Sequence, residues 1–283
     1  MKRIAILGAG SWIGGFLRTS ALGLGWSVCV MGRRHGRGVD AVVRGADDLR
    51  AALDAARVDA TINCVGVRSG PIDSMVEANI EWVRTALRVV TDLQIRFVHL
   101  GTAAEYGDPG DAPVREDHRR APVTDYGVTK AVASLLVEHS EADAVVARVF
   151  NVAGPAPPAG SLLADLLAKI EAAKAHKARE IELANAGLKR DWLTAADMSS
   201  ALLMLAQTTG GDRVINVCSG LAVTHGELTL ALARREKAEI SIRSRGEPGI
   251  ASVIGDPTRL RQLGIVVPRR VDDDFAHAIL ADG

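Results

Sequence analysis

Tyr126 and Lys130 bound the pentapeptide Tyr126-Gly127-Val128-Thr129-Lys130. Residues four apart lie one turn from each other on one helix face. A free phenol, with a pKa of about 10, exchanges protons poorly near neutrality. A lysine ammonium one turn away favours the phenolate. At ~4 Å and an effective dielectric of ~20, one such charge is worth about 4 kcal/mol before further screening. A tyrosine tuned in this way serves as general acid toward a carbonyl oxygen, or as general base toward an alcohol. Taken alone, the pentapeptide also fits a surface helix turn with an ordinary Tyr and Lys, so the elements around it carry the decision.

Ile4 to Leu7 is a short buried-strand pattern, and a helical run extends to about Leu24. Between them stands Gly8-Ala9-Gly10-Ser11-Trp12-Ile13-Gly14-Gly15. Strand, glycine-rich turn and helix together bring backbone N–H groups and a helix N-terminus to a pyrophosphate. The spacing is G-x-x-G-x-x-G with Ser11 in the place of the middle glycine; Ile13 occupies the third glycine position of the G-x-G-x-x-G form. Gly8, Gly10, Ser11, Trp12, Ile13 and Gly14 are therefore expected to hold a dinucleotide. The next strand, Ser27 to Met31, ends in Gly32-Arg33-Arg34. A free ribose 2′-hydroxyl usually meets Asp or Glu here, whereas a 2′-phosphate wants arginine. NADP(H) is expected over NAD(H), with Arg33 and Arg34 as its contacts; solvated loop charge is the alternative. Asp47-Asp48-Leu49 opens a short helix, and its Asp48-Leu49 pair is read either near the adenine or as a helix cap. A strand from Val58 brings Val65 and Gly66 toward the cofactor. A helix from Met75 to Val90 carries Asn79, and a strand from Ile95 to Leu100 ends just before Thr102. Ligands of open α/β sheets bind at the carboxyl ends of strands, so Thr102 is expected to share a pocket with Tyr126 and Lys130.

Composition narrows the classes. The chain of 283 residues is 48% hydrophobic without a long apolar run, which reads as soluble rather than membrane-spanning. Lys plus Arg balances Asp plus Glu at 34 each, so bulk attraction to nucleic acid or to a membrane is not indicated. Cys29, Cys64 and Cys218 fall in strand patterns without metal-ligand spacing, and they read as buried reduced thiols of a cytoplasmic protein. Met1-Lys2-Arg3-Ile4 leads into a strand-like run too short for a signal peptide.

Further motifs follow in order: EANIEW around Asn79, GTAAEYG from Gly101, RVFNVAGP from Arg148, KRDWLTAADM from Lys189, RVINVCSG from Arg213 and DPTRLRQLG from Asp256. With GAGSWIG and YGVTK, they resemble the extended short-chain dehydrogenase/reductases, the NAD(P)-dependent nucleotide-sugar epimerase/dehydratase/reductase superfamily, over nearly the whole chain. The resemblance implies a Rossmann-type α/β fold, a doubly wound parallel sheet with a smaller C-terminal α+β substrate lobe. The expected divisions are 1–151, with 191–218 returning to it, and 152–190 with 219–283. Within the second part, helices are expected from Ser161 to Ala178 and from Thr194 to Ala206, and Arg213 to Val217 is expected to rejoin the sheet. By the same resemblance Thr102, Tyr126 and Lys130 form a catalytic triad, with Asn79 supporting a water and backbone relay. Lys130 also holds the nicotinamide ribose. Asn151, Arg190 and Arg245 contact a nucleotide or its diphosphate, for which an amide and two guanidiniums are suited. A structural pair with Asp191 or Asp197 is the other reading of Arg190.

The superfamily epimerises, dehydrates, decarboxylates and reduces, so fold alone does not choose. Its 4,6-dehydratases place an acidic pair directly after the catalytic threonine, where this chain has Ala103 and Ala104. Glu105 comes one residue later and is expected to point differently. GTAAEYG is similar instead to the form found in 4-keto-6-deoxyhexose reductases, with Ala103 among the substrate contacts. An NADPH-dependent ketoreductase acting on a nucleotide-linked 4-keto sugar is expected. The alternatives are an NAD-retaining nucleotide-sugar epimerase, a ketoreductase of a non-sugar intermediate, and a cofactor-binding protein without turnover. In this family the helices around Asn79 and Tyr126 commonly pair across a two-fold axis, which implies a homodimer.

Overall fold

The computed structural model describes residues 2–8, 10–36, 38–268 and 275–276. In chain order its first half runs β1 (Arg3–Leu7), α1 (Trp12–Gly23), β2 (Ser27–Gly32), β3 (Ala41–Val42), α2 (Ala46–Ala56), β4 (Ala60–Asn63), α3 (Ile72–Val76), α4 (Trp82–Asp92), β5 (Arg96–Thr102) and α5 (Asp125–Glu138). There follow β6 (Ala144–Val149), β7 (Asn151–Ala153), α6 (Leu162–His176), β8 (Glu180–Leu183), β9 (Lys189–Thr194), α7 (Ala195–Leu205) and β10 (Val214–Val217). The chain continues as β11 (Ala222–Thr224), α8 (His225–Arg235), β12 (Ser241–Ser244), β13 (Ser252–Val253) and α9 (Thr258–Gln262).

Seven strands form one parallel sheet in the order β10-β6-β5-β4-β1-β2-β3. Strands of such a sheet are covered on both faces, so their sequences are apolar throughout rather than alternating. Alternate residues of each strand then enter opposite layers. Ile4, Ile6, Ile62, Val98 and Leu100 pack with Leu17 of α1 and Leu202 of α7. Ala5, Leu7, Phe97 and Val146 pack with Leu53 of α2, Val83 and Leu87 of α4, and Val137 of α5. This is the expected Rossmann-type architecture. Asn63 and His99, paired across β4 and β5, share the parity of Phe97 and so face α4 and α5, which decides what they touch below.

The smaller lobe has its own core, built from Leu163, Leu166 and Ile170 of α6, Trp192 of β9, and Leu228 and Leu232 of α8. In its sheet β9 pairs in parallel with β7 and β13 and antiparallel with β11; β8 and β12 pair separately. The division expected at residue 190 falls inside β9, which belongs to this sheet, while β10 belongs to the large one. The part of 219–283 at 269–274 and 277–283 lies outside the described residues.

Two local differences from the sequence reading matter. The helix expected from Met75 is α3 and α4 joined through one π turn, Glu77–Glu81, which holds Asn79. β3, only two residues long, gives no sequence signal and forms the sheet edge. Among the described residues no helix is long and apolar enough to cross a membrane. Cys29 lies in β2, and Cys64 and Cys218 stand one residue beyond β4 and β10; all three are free.

Candidate active site

Tyr126 sits in the first turn of α5, whose N-cap Thr124 accepts a hydrogen bond from the Gly127 N–H at 3.1 Å. Glycine is needed at 127 because α5 docks closely on the turn after β5. A Cβ there would lie 2.8 Å from the Ala104 carbonyl oxygen and 3.0 Å from Pro122 Cβ. This approach brings the Tyr126 phenol beside the Thr102 side chain. The phenol pKa is raised, first by burial and then by Glu105, against the lowering effects of Thr102 and of Arg68.

The expectation that Lys130 pulls the phenol down is not met in this geometry. Lys130 is buried, and its Nζ turns inward to 3.4 Å from Nε2 of His99. Burial lowers the lysine itself to about 8, against the opposing influence of Glu105 and Cys64.

Thr102 is the last residue of β5 and caps a single 3-10 turn, Ala103–Glu105. Its side chain accepts from the Ala104 N–H at 3.3 Å, and Oε1 of Glu105 accepts from its backbone N–H at 2.9 Å. Glu105 does point away from the Thr102 side chain, as expected, and the purpose is anchorage. Fully buried, it also accepts from Ser134 Oγ at 2.9 Å and from Nε of the buried Arg148 at 3.0 Å. Tyr106, the second tyrosine, belongs to the same network and is buried on Arg148 and Asn216. Ala103, expected beside substrate, instead lies in the core with Tyr106 and Phe150, because the tight turn directs its methyl inward.

Asn79 is also fully buried. Its Oδ1 accepts from the Val67 N–H at 2.8 Å, and its Nδ2 donates to the Val67 carbonyl and to Thr129 Oγ1, both at 2.9 Å. The π turn thus ties the segment after β4 to α5 through an amide whose hydrogen bonds go to backbone and Thr129 rather than to Lys130.

A cleft of about 420 Å³ opens at the carboxyl ends of β1, β2 and β4. Gly8, Gly10, Ser11, Val65 and Gly66 line it as expected. Gly8 has φ +84, and a Cβ there would lie 2.9 Å from the Val65 N, so only glycine lets the two strand ends meet. Ser11 caps α1, accepting from the Gly14 N–H at 3.0 Å, and the first turn of α1 contains no acidic residue. Exposed backbone at Gly10 and a helix N-terminus free of negative charge suit a pyrophosphate, and the residues present fit a dinucleotide. Trp12 and Ile13 do not line the cleft. The Trp12 indole donates to the Pro155 carbonyl at 2.9 Å, at the root of the smaller lobe, and Ile13 packs on the sheet core.

Of the two arginines after β2, Arg33 lines the cleft and pairs with Glu77 at 3.3 Å, whereas Arg34 is exposed outside it. The cleft gains Arg44 instead. Its backbone N–H is held at 3.0 Å by the Asp48 carboxylate, and no carboxylate pairs with its guanidinium among the described residues. Asp48 is therefore a helix-end acceptor. Leu49 is wholly buried with Leu53 in the core and cannot reach an adenine.

The residues expected at a diphosphate are dispersed. Asn151 Nδ2 donates to the Asp191 carbonyl at 3.1 Å. Arg190 donates to the carbonyls of Lys189 and Ile250 at 2.7 and 3.0 Å; it forms no pair with Asp191, whose carboxylate is taken by Ser219, Gly220 and Gly255. Arg245 is exposed after β12 and pairs with Glu182 at 3.5 Å and Glu247 at 2.5 Å. Neighbouring carboxylates satisfy it where it stands.

Four participants went unseen in sequence. His99 and Asn63 read only as polar interruptions of buried strands. Arg44 follows a strand too short to detect. Arg68, in the loop after β4, donates to the Gly160 carbonyl at 3.0 Å and acts on Tyr126; its place just past a strand end was the available signal.

Residues 4–218 match the profile described as the NAD dependent epimerase/dehydratase family. Over 284 residues the chain is 31% identical to the dTDP-6-deoxy-L-talose 4-dehydrogenase (NAD(P)(+)) of Kitasatospora kifunensis, covering 94% of this chain and 88% of that protein. It is 28% identical over 173 residues to the GDP-6-deoxy-D-mannose reductase of Pseudomonas aeruginosa, covering 59% of this chain and 53% of that protein. Among solved structures, RMD from Pseudomonas aeruginosa complexed with NADPH matches with a TM-score of 0.84 at 22% identity, over 99% of this chain and 98% of that one. The UDP-N-acetylglucosamine 4-epimerase from Bacillus cereus matches at 0.85 and 18%, over 99% and 94%. At these identities the structural likeness is one of fold.

Proposed function

We propose that this protein, which belongs to the NAD dependent epimerase/dehydratase family and is an NAD(P)-dependent oxidoreductase of the extended short-chain type, reduces a nucleotide-linked 4-keto-6-deoxy sugar with NADPH. The observation that carries this reading is the close docking of α5 on the turn after β5, which brings Tyr126 beside Thr102. Beside Thr102, at the carboxyl end of β5, this phenol can donate to a carbonyl oxygen held by the threonine. Thr102 then orients the shared oxygen, and Lys130 one turn on supplies the second proton site. The neighbours Ala103 and Ala104 offer neither acid nor base, which disfavours dehydration.

Gly8, Gly10, Ser11, Val65 and Gly66 would hold the dinucleotide, and Arg33 with Arg44 would receive a 2′-phosphate, a task for which guanidiniums are well shaped. When bound, the cofactor supplies the hydride. The substrate class is supported by relatives named for 6-deoxyhexose nucleotides, and the smaller lobe, built around α6, β9 and α8, is assigned to it. A second reading, reduction of a non-sugar ketone, is favoured by the engagement of Arg190 and Arg245 with carbonyls and carboxylates of the chain itself. We also assign a homodimer, since Val128, Val132 and Leu135 form an exposed apolar row on α5; a monomer in sedimentation would contradict it.

The test is a fluorescence titration with NADPH and NADH, followed by turnover of nucleoside-diphosphate 4-keto-6-deoxyhexoses against simple ketones. NADPH preference with turnover of the nucleotide substrates is expected. NAD retained through purification without net reduction would replace the reading by an epimerase. Reduction of simple ketones alone would select the second reading.

A further inference from the structure

His99 is fully buried on β5, on the sheet face covered by α4 and α5. Each of its ring nitrogens meets one polar group. Nδ1 lies 3.1 Å from Nδ2 of Asn63, and Nε2 lies 3.4 Å from Nζ of Lys130. Asn63 reveals which nitrogen holds the proton. Its Oδ1 accepts from the Val65 N–H at 3.3 Å and from the Trp82 indole N–H at 3.2 Å. Both partners are donors only, so the amide cannot be turned around, and its NH2 faces His99. Nδ1 must accept, and the proton of the neutral ring then sits on Nε2. An imidazolium would set two donors against each other at Asn63, and burial holds this histidine well below its usual pKa. The Nε2–H therefore faces Lys130, where it finds an acceptor only if Nζ is an amine; an ammonium has no lone pair.

We propose that His99 is a positioning residue that stabilises the amine form of Lys130 and so makes that lysine a proton donor rather than a fixed cation. This rests on the roles of Tyr126 and Lys130 given above. As Tyr126 protonates the carbonyl oxygen, with the hydride that a bound nicotinamide would supply adding to the carbonyl carbon, the phenol O–H bond breaks, the C=O π pair becomes the O–H bond of the alcohol, and a phenolate remains. One N–H bond of the Lys130 ammonium then breaks, and its proton, passed through solvent, restores the phenol. The electron pair left on Nζ accepts from the Nε2–H of His99, and one proton from solvent restores the ammonium. The other titratable groups acting on Lys130 are Glu105, from the turn after β5, and Cys64, past β4; Cys64 stays a thiol because burial pushes it up to about 12.

Long-range 1H–15N NMR of histidine side chains in the cofactor-free protein reads the tautomer directly. His99 is expected as the neutral Nε2–H form from mildly acidic to mildly alkaline pH. An Nδ1–H form or an imidazolium overturns the proposal, whatever the substrate proves to be. The second readout is the titration of Lys130, followed through 13C at its ε carbon. His99→Phe keeps a buried ring but removes the donor, and the Lys130 midpoint should rise by roughly one unit, a tenfold change in its proton equilibrium. Asn63→Asp presents only acceptors to His99, which should invert the tautomer and raise the midpoint even if His99→Phe does not fold. Unmoved lysine titration in a folded variant overturns the proposal. Failure of the reductase reading would look different: the tautomer as expected, but no turnover of any carbonyl compound.

Discussion

The carboxylate of Glu105 fixes Thr102 from behind, accepting its backbone N–H at 2.9 Å while holding buried Arg148 at 3.0 Å. One side chain therefore joins the end of β5 to the interior charge network. Glu105→Gln keeps an acceptor for Thr102 but leaves Arg148 without its closest counter-charge. Breaking a buried pair from one side costs about 3 kcal/mol. Chemical denaturation should show that loss, with cofactor affinity retained, since Glu105 does not line the cleft.

Thr102→Val removes the hydroxyl that lowers the Tyr126 pKa. The phenol should rise further. On the proposed mechanism the phenolate is the base for alcohol oxidation, so activity should grow with pH as it forms. The pH–rate curve for oxidation should therefore shift to higher pH in the variant, and a curve in its original place would refute the contact.

Lys130 carries a cost that its replacement should expose. Its pKa falls from the ordinary 10.5 to about 8 in the folded chain, so between those values the unfolded chain binds more protons than the folded one. Stability from this group then rises with pH from about 8 to 10.5. Lys130→Met should lack that rise. Near neutrality it should gain up to about 3 kcal/mol, at ~1.4 kcal/mol per unit, while losing reductase activity. Thermal unfolding at several pH values checks both parts.

Arg33→Ala with Arg44→Ala should weaken NADPH binding by roughly 10- to 100-fold, the worth of a charged hydrogen bond or two. NADH affinity should stay the same. Arg34→Ala should alter neither, because Arg34 stands outside the cleft. Equilibrium fluorescence titration separates these outcomes.

The large sheet and the glycine turn were legible because their signals are local: four or five apolar residues, then the glycine-rich run from Gly8 to Gly15. The meeting of Thr102 with Tyr126 was legible from motif order, since β5 and α5 are adjacent in the chain. Arg44 was not, because its position depends on a two-residue edge strand that only the neighbouring β2 stabilises. Nor was the direction of the Lys130 side chain. Sequence places Tyr126 and Lys130 on one helix face, but it says nothing of His99 waiting across the layer as a competing partner. Arg190 and Arg245 show the same limit, for a guanidinium takes the nearest carbonyl or carboxylate, and those neighbours come from distant segments.

The strand order of the sheet has a practical reach for retooling the protein. Arg33 and Arg44 belong to the β2 and β3 edge, while Tyr126 and Lys130 lie over β5, three strand steps away through β1 and β4. At ~4.8 Å per step that is about 14 Å, beyond the ~10 Å within which substitutions usually interfere. With the roles proposed for these residues, coenzyme choice and reactivity can be selected in separate libraries and then combined in one biocatalyst, with their effects expected to add.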